Sequence, residues 1–318
     1  MPTFILGAGF NADAQAEAGL CGLENGYPLI GEMARLCFGR SDVPNGQSIE
    51  NLFDEALRSG KYKPVKELAA CLRYADHYIA RNLATQQTNL YRSFFEAFSE
   101  SHFLTFNYDS LPETILFHLE RWYPWDGYGV KVVADVIPGS EELAPRKSSS
   151  LVLHLHGSLC VRTSKHKIER RPGDPMPILR RREPEYIFDA DCNLPNFPGV
   201  ESNAGRDDVK DRIIAPVPDK AHGLKQPFID ETYRRALALM SGSDVAVAIG
   251  YSFNPHDRGS YVDLLRALGH SKHQRLVVIS PDAEAIADRI RPDYPNLSVD
   301  PLQETFRQWA GERFPRIG

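Results

Sequence analysis

Short apolar runs alternate along this chain with segments whose apolar residues recur at helical spacing. Residues 3–6 read as a strand, and Gly7 to Ala12 as a turn opening a helix. Strand signals then almost vanish until residue 100. Residues 31–38, 49–58, 65–84 and 89–99 carry helical patterns instead, with Ile49, Leu52, Phe53, Ala56 and Leu57 forming one stripe. Strand character returns at 102–106, followed by a helix at 112–122 with Pro112 in its first turn. Residues 124–150 are irregular apart from a β-like run at 130–137, and 151–155 read as a buried strand. Residues 157–227, rich in proline and charge, yield no organised pattern beyond a short strand signal at 213–215. From 228 onward helices at 229–240, 260–268, 283–290 and 302–314 alternate with strands at 245–249, 276–279 and 297–299. This alternation predicts an α/β fold: a doubly wound, mainly parallel, Rossmann-like sheet with a helical insertion over 31–100, after the first strand. The whole of 1–318 reads as one domain containing that insertion.

Chemistry gathers where apolar runs stop. Ligands of parallel α/β sheets bind just past the carboxyl ends of strands. The run at 103–106 ends in Asn107, Tyr108 and Asp109, and the run at 151–155 ends in His156 and Gly157. Gly7, Ala8, Gly9, Phe10, Asn11 and Ala12 match the loose G-x-G-x-x-G/A pattern of a phosphate-binding turn. No acidic residue ends a second strand about 20 positions later, as a dehydrogenase requires. Each feature also has a plainer reading. The glycine pair suits a tight turn, Asp109 or Ser110 suits a helix cap, and Gly250, Tyr251 and Ser252 suit an ordinary loop. His154 and His156, two apart on a strand, are expected on one face, with His154 a satisfied core histidine. Asn107 and His156 are harder to assign to structure alone, because both sit where strand tips meet the crevice. Arg180, Arg181 and Arg182 read as a solvated basic turn. Together the strand ends point to an enzyme acting on a dinucleotide.

Composition narrows the class. The 318 residues are 42% hydrophobic and 25% charged, ordinary for a globular protein, and the net charge of −5 supplies no global attraction to nucleic acid. Any nucleic-acid contact is therefore expected to be indirect. The five cysteines, Cys21, Cys37, Cys71, Cys160 and Cys192, include no C-x-x-C pair, so no zinc ribbon is expected. A metal pair at His154 and His156, though conceivable, lacks an evident third ligand, so no metal site is expected. Reduced thiols suit a cytoplasmic protein. No signal peptide is visible, and no apolar stretch approaches the roughly 20 residues needed to span a membrane.

Taken in order, these strings resemble the sirtuin superfamily, specifically its bacterial sirtuin-like branch. Gly7 to Asn11 stand where that family has G-A-G-[F/I]-S, and Thr105 to Asp109 where it has T-x-N-[I/Y]-D. His156 to Ser158 stand where it has H-G-[S/N], and Gly250 to Ser252 where it has G-[T/Y]-S, followed by Asp257. A helical insertion after the first strand also occurs in that branch. Three departures stand out: no four-cysteine zinc module, no P-D-F-R stretch, and Asn11 in place of serine. They push the implied activity from protein deacylation towards NAD⁺ cleavage, with NAD⁺ as substrate and no zinc. The resemblance is strongest to sirtuin-like proteins of anti-phage systems, which deplete cellular NAD⁺. It implies Asn107 and His156 as catalytic residues, with Tyr108 and Asp109 at the nicotinamide carboxamide. Gly7, Ala8, Gly9, Phe10, Asn11, Gly250, Tyr251 and Ser252 are the expected dinucleotide-binding positions. A non-catalytic NAD⁺ or ADP-ribose sensor and an NAD-dependent ADP-ribosyltransferase or deacylase are the alternative readings. Because unchecked NAD⁺ cleavage is toxic, gating by a homo-oligomer, a ligand or a partner protein is expected, with 160–227 as the place for a contact or lid.

Overall fold

The computed structural model describes residues 1–20, 26–28, 30–41, 43, 47–134, 146–169, 178–188, 213–220, 223–269, 274–311 and 314. Its centre is a six-stranded parallel sheet. The strands are β1 (Thr3–Leu6), β2 (His102–Thr105), β4 (Val152–His154), β7 (Val245–Ile249), β8 (Arg275–Ile279) and β9 (Ser298–Leu302). Their spatial order is β4-β2-β1-β7-β8-β9. The chain therefore winds outward from β1 to β4, crosses back, and winds outward again from β7. This is the 3-2-1-4-5-6 order of a doubly wound Rossmann-like sheet, with its switch point between β1 and β7.

Both faces are covered, which explains why the central strands read as continuous apolar runs. Phe4 and Leu6 of β1 and Phe103 of β2 enter one core with the helices that precede β2 and the C-terminal helix α11 (Phe306–Gly311). Phe4 stacks on Phe103 with ring centroids 5.3 Å apart, and Phe94, Phe95 and Phe98 close around them. Ile5, Leu104, Ala246 and Ala248 point the other way, onto α8 (Pro227–Ser241), α9 (Arg258–Leu268) and α10 (Ala283–Ile290).

Between β1 and β2 lie α1 (Ala14–Glu17), α2 (Ile30–Phe38), α3 (Ile49–Arg58), α4 (Lys63–Ala75), α5 (Arg81–Thr85) and α6 (Leu90–Ala97). Side chains cap two of them: Ser48 Oγ accepts from the Asn51 N–H at 3.2 Å, and Asn89 Oδ1 from the Arg92 N–H at 2.8 Å. The periodic stretch 65–84 is not one regular helix. A π turn at Asp76–Ala80 joins α4 to α5 and buries the Asp76 carboxylate.

The remaining differences from the sequence pattern have local causes. After β2, α7 (Leu111–His118) stops short of 122, where Glu120 takes φ 58°. The run at 130–137 yields β3 (Val132–Ala134), and 135–137 lie outside the described residues. An antiparallel pair, β5 (Val161–Glu169) and β6 (Ile178–Phe188), is joined by β3 in a second sheet. Their dense charge hid the strand period, and Arg180, Arg181 and Arg182 lie on β6, not in a turn. Residues 213–215 contribute one bridge, Ile213 to Gly157, not a strand. The predicted last helix loses its start to β9, whose pairing with β8 includes Leu302. Cys21 and all of 189–212, Cys192 included, lie outside the described residues. Among the described residues no helix is long and apolar enough to cross a membrane.

Candidate active site

At the switch point the loops after β1 and β7 pack backbone against backbone. The Gly7 N–H donates to the Ile249 carbonyl at 3.0 Å, and the Gly9 N–H to the Gly250 carbonyl at 3.0 Å. Gly250 sits at φ 60°, and a Cβ there would lie 2.2 Å from the Phe10 nitrogen. A Cβ on Gly7 would meet the Gly250 carbonyl oxygen at 2.5 Å. The glycines are thus required first by this junction. The Phe10 N–H is also used within the turn, donating to the Gly7 carbonyl at 2.9 Å. Ala8 is exposed, and its N–H makes no hydrogen bond among the described residues.

Above this junction lies a half-open cavity of about 150 Å³, where the loops after β1, β2, β4 and β7 meet the inner wall of the helical insertion. Except for Gly9 and Phe10, every candidate position lines it. Gly9 is taken up by the junction. Phe10 is fully buried among Tyr91, Phe94, Phe95 and Phe306.

Asn107 is held at both ends of its backbone and by its amide. Its N–H donates to Thr105 Oγ1 at 3.0 Å, and Nδ2 donates to the Gly7 carbonyl at 3.1 Å. That second bond ties the end of β2 to the end of β1. Oδ1 makes no hydrogen bond among the described residues.

His156 follows β4 in a turn, because the strand ends at His154. The alternation therefore breaks, and the two histidines do not share a face. His154 Nε2 pairs with Glu113 of α7 at 2.8 Å and Nδ1 contacts the Asn107 carbonyl at 3.1 Å. Burial lowers the His154 pKa, but the Glu113 charge and hydrogen bond, Asp109 and the Asn107 carbonyl together raise it overall. His154 is thus a satisfied core group. His156 instead places Nε2 3.2 Å from Ser260 Oγ on α9 and 3.9 Å from Asp257 Oδ1. Phe106 meets its ring edge-on at 5.0 Å and itself stacks on Tyr251 at 4.1 Å. Burial, reinforced by the Lys220 charge, holds the His156 pKa well below its ordinary value. The imidazole is consequently neutral at physiological pH and able to accept a proton.

Lys220 and Asp257 form a buried ion pair beside that ring, and Tyr251 Oη contacts the other Asp257 oxygen at 3.4 Å. Glu50 at the start of α3 accepts from Asn254 Nδ2 at 3.1 Å, joining the insertion to the β7 loop. Lys220, Ser260, Glu50 and Asn254 were not identified from sequence. Asp257 alone had a signal there, in its spacing from Gly250. Lys220 had none, since it lies in the stretch without a pattern.

Tyr108 and Asp109 line the cavity with their polar atoms already engaged. Tyr108 Oη donates to the Ile214 carbonyl at 2.6 Å. Asp109 Oδ1 accepts from the Leu111 N–H at 3.2 Å, capping α7, and Oδ2 accepts from Asn11 Nδ2 at 2.8 Å. Burial, with the nearby Glu113 charge, pushes the Asp109 pKa up to about 6, against its hydrogen bonds and His154. Behind it, Asp76 accepts from Tyr27 Oη at 2.7 Å and from the Ser110 N–H at 3.0 Å. The π turn thereby docks the insertion onto the β2–α7 loop. Ser252 lines the cavity, and its carbonyl accepts from Arg289 at 2.7 Å. Among the described residues no group of three or more His, Cys, Asp or Glu side chains is arranged to hold a metal ion.

No protein-family model matches the chain, and no curated protein matches it. Solved structures that match include two mutants of a Sir2 homologue, each in complex with ADP-ribose. One is 15% identical and the other 16%; each match covers 98% of this chain and 88% of the other, with a TM-score of 0.38.

Proposed function

We propose that this chain cleaves NAD⁺ at the bond between nicotinamide and ribose, releasing nicotinamide and ADP-ribose. One observation carries the reading. A neutral, buried histidine and an asparagine with an unspent acceptor converge on a cavity over the switch point of a doubly wound sheet.

In this reaction the C1′–N bond breaks with its electron pair going to nicotinamide, which leaves neutral and needs no acid. Positive charge develops on the ribose. The water that attacks C1′ loses a proton, and His156 is the group suited to take it. Ser260 and Phe106 fix the ring, and burial, reinforced by the Lys220 charge, keeps it unprotonated beforehand. Asn107, anchored by Gly7, offers Oδ1 to the water or to a ribose hydroxyl. The cavity of about 150 Å³ is half-open, and the nicotinamide end of a dinucleotide is the part assigned to its interior. The diphosphate and adenosine lie outward, past exposed Ala8.

The motif order supports reading the protein as an anti-phage effector gated by assembly or a partner. The test is nicotinamide release from NAD⁺ by the purified chain and by Asn107→Ala and His156→Ala. Each substitution should lower turnover by roughly 10²–10⁴ while NAD⁺ binding survives. Loss of binding in His156→Ala would refute the assigned role. Binding without release in the unaltered chain would instead favour the sensor reading.

A further inference from the structure

Asn11 carries a buried polar atom that the fold does not use. The residue is 5% exposed, and its Oδ1 has no hydrogen-bond partner among the described residues. Burying an amide oxygen unpaired is costly, and native structures rarely tolerate it without a ligand or water to complete it. Asn11 lines the cavity, and its other end is fixed: Nδ2 donates to Asp109 Oδ2. The amide orientation follows from the network. Asp109 accepts on both oxygens, from Asn11 and from the Leu111 N–H, so reversing the amide would set oxygen against oxygen.

We infer that Asn11 Oδ1, aimed by Asp109, is a specificity-determining acceptor that reads an N–H or O–H donor of the substrate. This rests on the NAD⁺ reading and sharpens it. Phosphate oxygens only accept, so this position repels a diphosphate instead of cradling it. The donors on the reacting half of NAD⁺ are the nicotinamide carboxamide and the ribose hydroxyls. The other candidates for reading the carboxamide are engaged, since Tyr108 Oη and both Asp109 oxygens have partners within the fold. Asp109 is accordingly a positioning residue.

The two roles separate in one pair of variants. Asn11→Ala removes the acceptor. Asp109→Asn leaves Asn11 in place but can offer it an N–H where a carboxylate oxygen stood, which turns the Asn11 amide and presents NH₂ to the cavity. The experiment measures equilibrium binding at pH 7.5 in a His156→Ala background, so that ligand is not consumed. The ligands are NAD⁺, its 3-acetylpyridine analogue and an analogue lacking the nicotinamide-ribose 2′-hydroxyl. The acetylpyridine analogue carries the same pyridinium charge as NAD⁺ and keeps the carbonyl; a methyl group replaces the amide NH₂, so only the N–H donor is lost. Preference for NAD⁺ over one of the two analogues should be about tenfold or more, and the analogue affected identifies the donor. In Asn11→Ala and in Asp109→Asn that ratio should fall to near one. Because each ratio is taken within one variant, partial unfolding affects both ligands equally. A ratio near one in the parent, or one that both variants preserve, overturns the inference while leaving the NAD⁺ reading intact. No NAD⁺ binding by the unaltered chain overturns both.

Discussion

Replacing Lys220 by methionine should damage stability and retune His156 at once. Lys220 and Asp257 are each 9% exposed and form an ion pair beside the His156 ring. Removing one partner of such a pair strands the other charge in a poorly solvated site, which costs about 3–5 kcal/mol. Removing both, as in Lys220→Met with Asp257→Leu, should recover most of that loss, because the desolvation penalty disappears together with the attraction. Equilibrium urea unfolding of the two single variants and the double variant measures these terms. The His156 consequence has a definite sign. Lys220 lowers the His156 pKa, and once it is gone the uncompensated Asp257 carboxylate, 3.9 Å from Nε2, favours the imidazolium. The titration of His156, followed by NMR and assigned by its disappearance in His156→Ala, should move upward in Lys220→Met. The acid limb of the nicotinamide-release profile should move towards neutrality with it. A cost below about 1 kcal/mol for Lys220→Met would mean that the pair is screened as a surface bridge is. A His156 titration unchanged or shifted downward would refute the electrostatic argument directly.

Gly250→Ala should destabilise the chain by several kcal/mol and abolish NAD⁺ binding, since φ 60° and a Cβ 2.2 Å from the Phe10 nitrogen both oppose it; thermal unfolding and calorimetry check this. Asp109 ionises near pH 6 in the fold against an ordinary 3.8, so its contribution to stability is full below about pH 3.8 and is lost as pH rises through 6. Asp109→Asn should therefore flatten that part of the stability profile, by up to about 3 kcal/mol. His156, with its pKa depressed, acts in the opposite sense, so His156→Gln should lessen the stability lost on acidification below pH 6.5. Glu113→Gln should lower the His154 pKa by removing its main favourable charge, and an NMR titration unchanged by the substitution would refute that assignment.

The sheet was legible because both of its faces are buried. β1, β7 and β8 appear in the sequence as unbroken apolar runs, and their glycine or polar ends mark the crevice. The strand tips carrying Asn107 and His156 were legible for the same reason. What sequence could not reveal was which polar atoms the fold consumes. Asp109 and Tyr108 occupy positions suggestive of ligand contact, yet both are engaged by partners from distant segments, Asn11 and Ile214. The β5–β6 pair was missed because its residues are charged on a small second sheet, where no apolar period announces a strand. The shared face expected for His154 and His156 failed because β4 ends at His154, two residues short of His156. Lys220 acquires its role solely through tertiary contact with Asp257.

The polar groups at the cavity fall into two sets, and the division is itself a mechanism of preorganisation. Asp109, Tyr108, Tyr251, Lys220, Asp257 and Ser260 spend their polar atoms on one another, on Asn11 Nδ2 and His156 Nε2, or on backbone. Asn11 Oδ1, Asn107 Oδ1 and the Ala8 N–H are unspent, and each is held in place by a member of the fold that is satisfied. A ligand therefore meets donors and acceptors already oriented, and their ordering cost was met during folding. This separates what substitutions should do. Changes in the first set act through stability and through the pKa of His156. Changes in the second act on binding and turnover while leaving the unfolding midpoint near its original value. Asn11 tests that division most sharply, because one of its atoms belongs to each set.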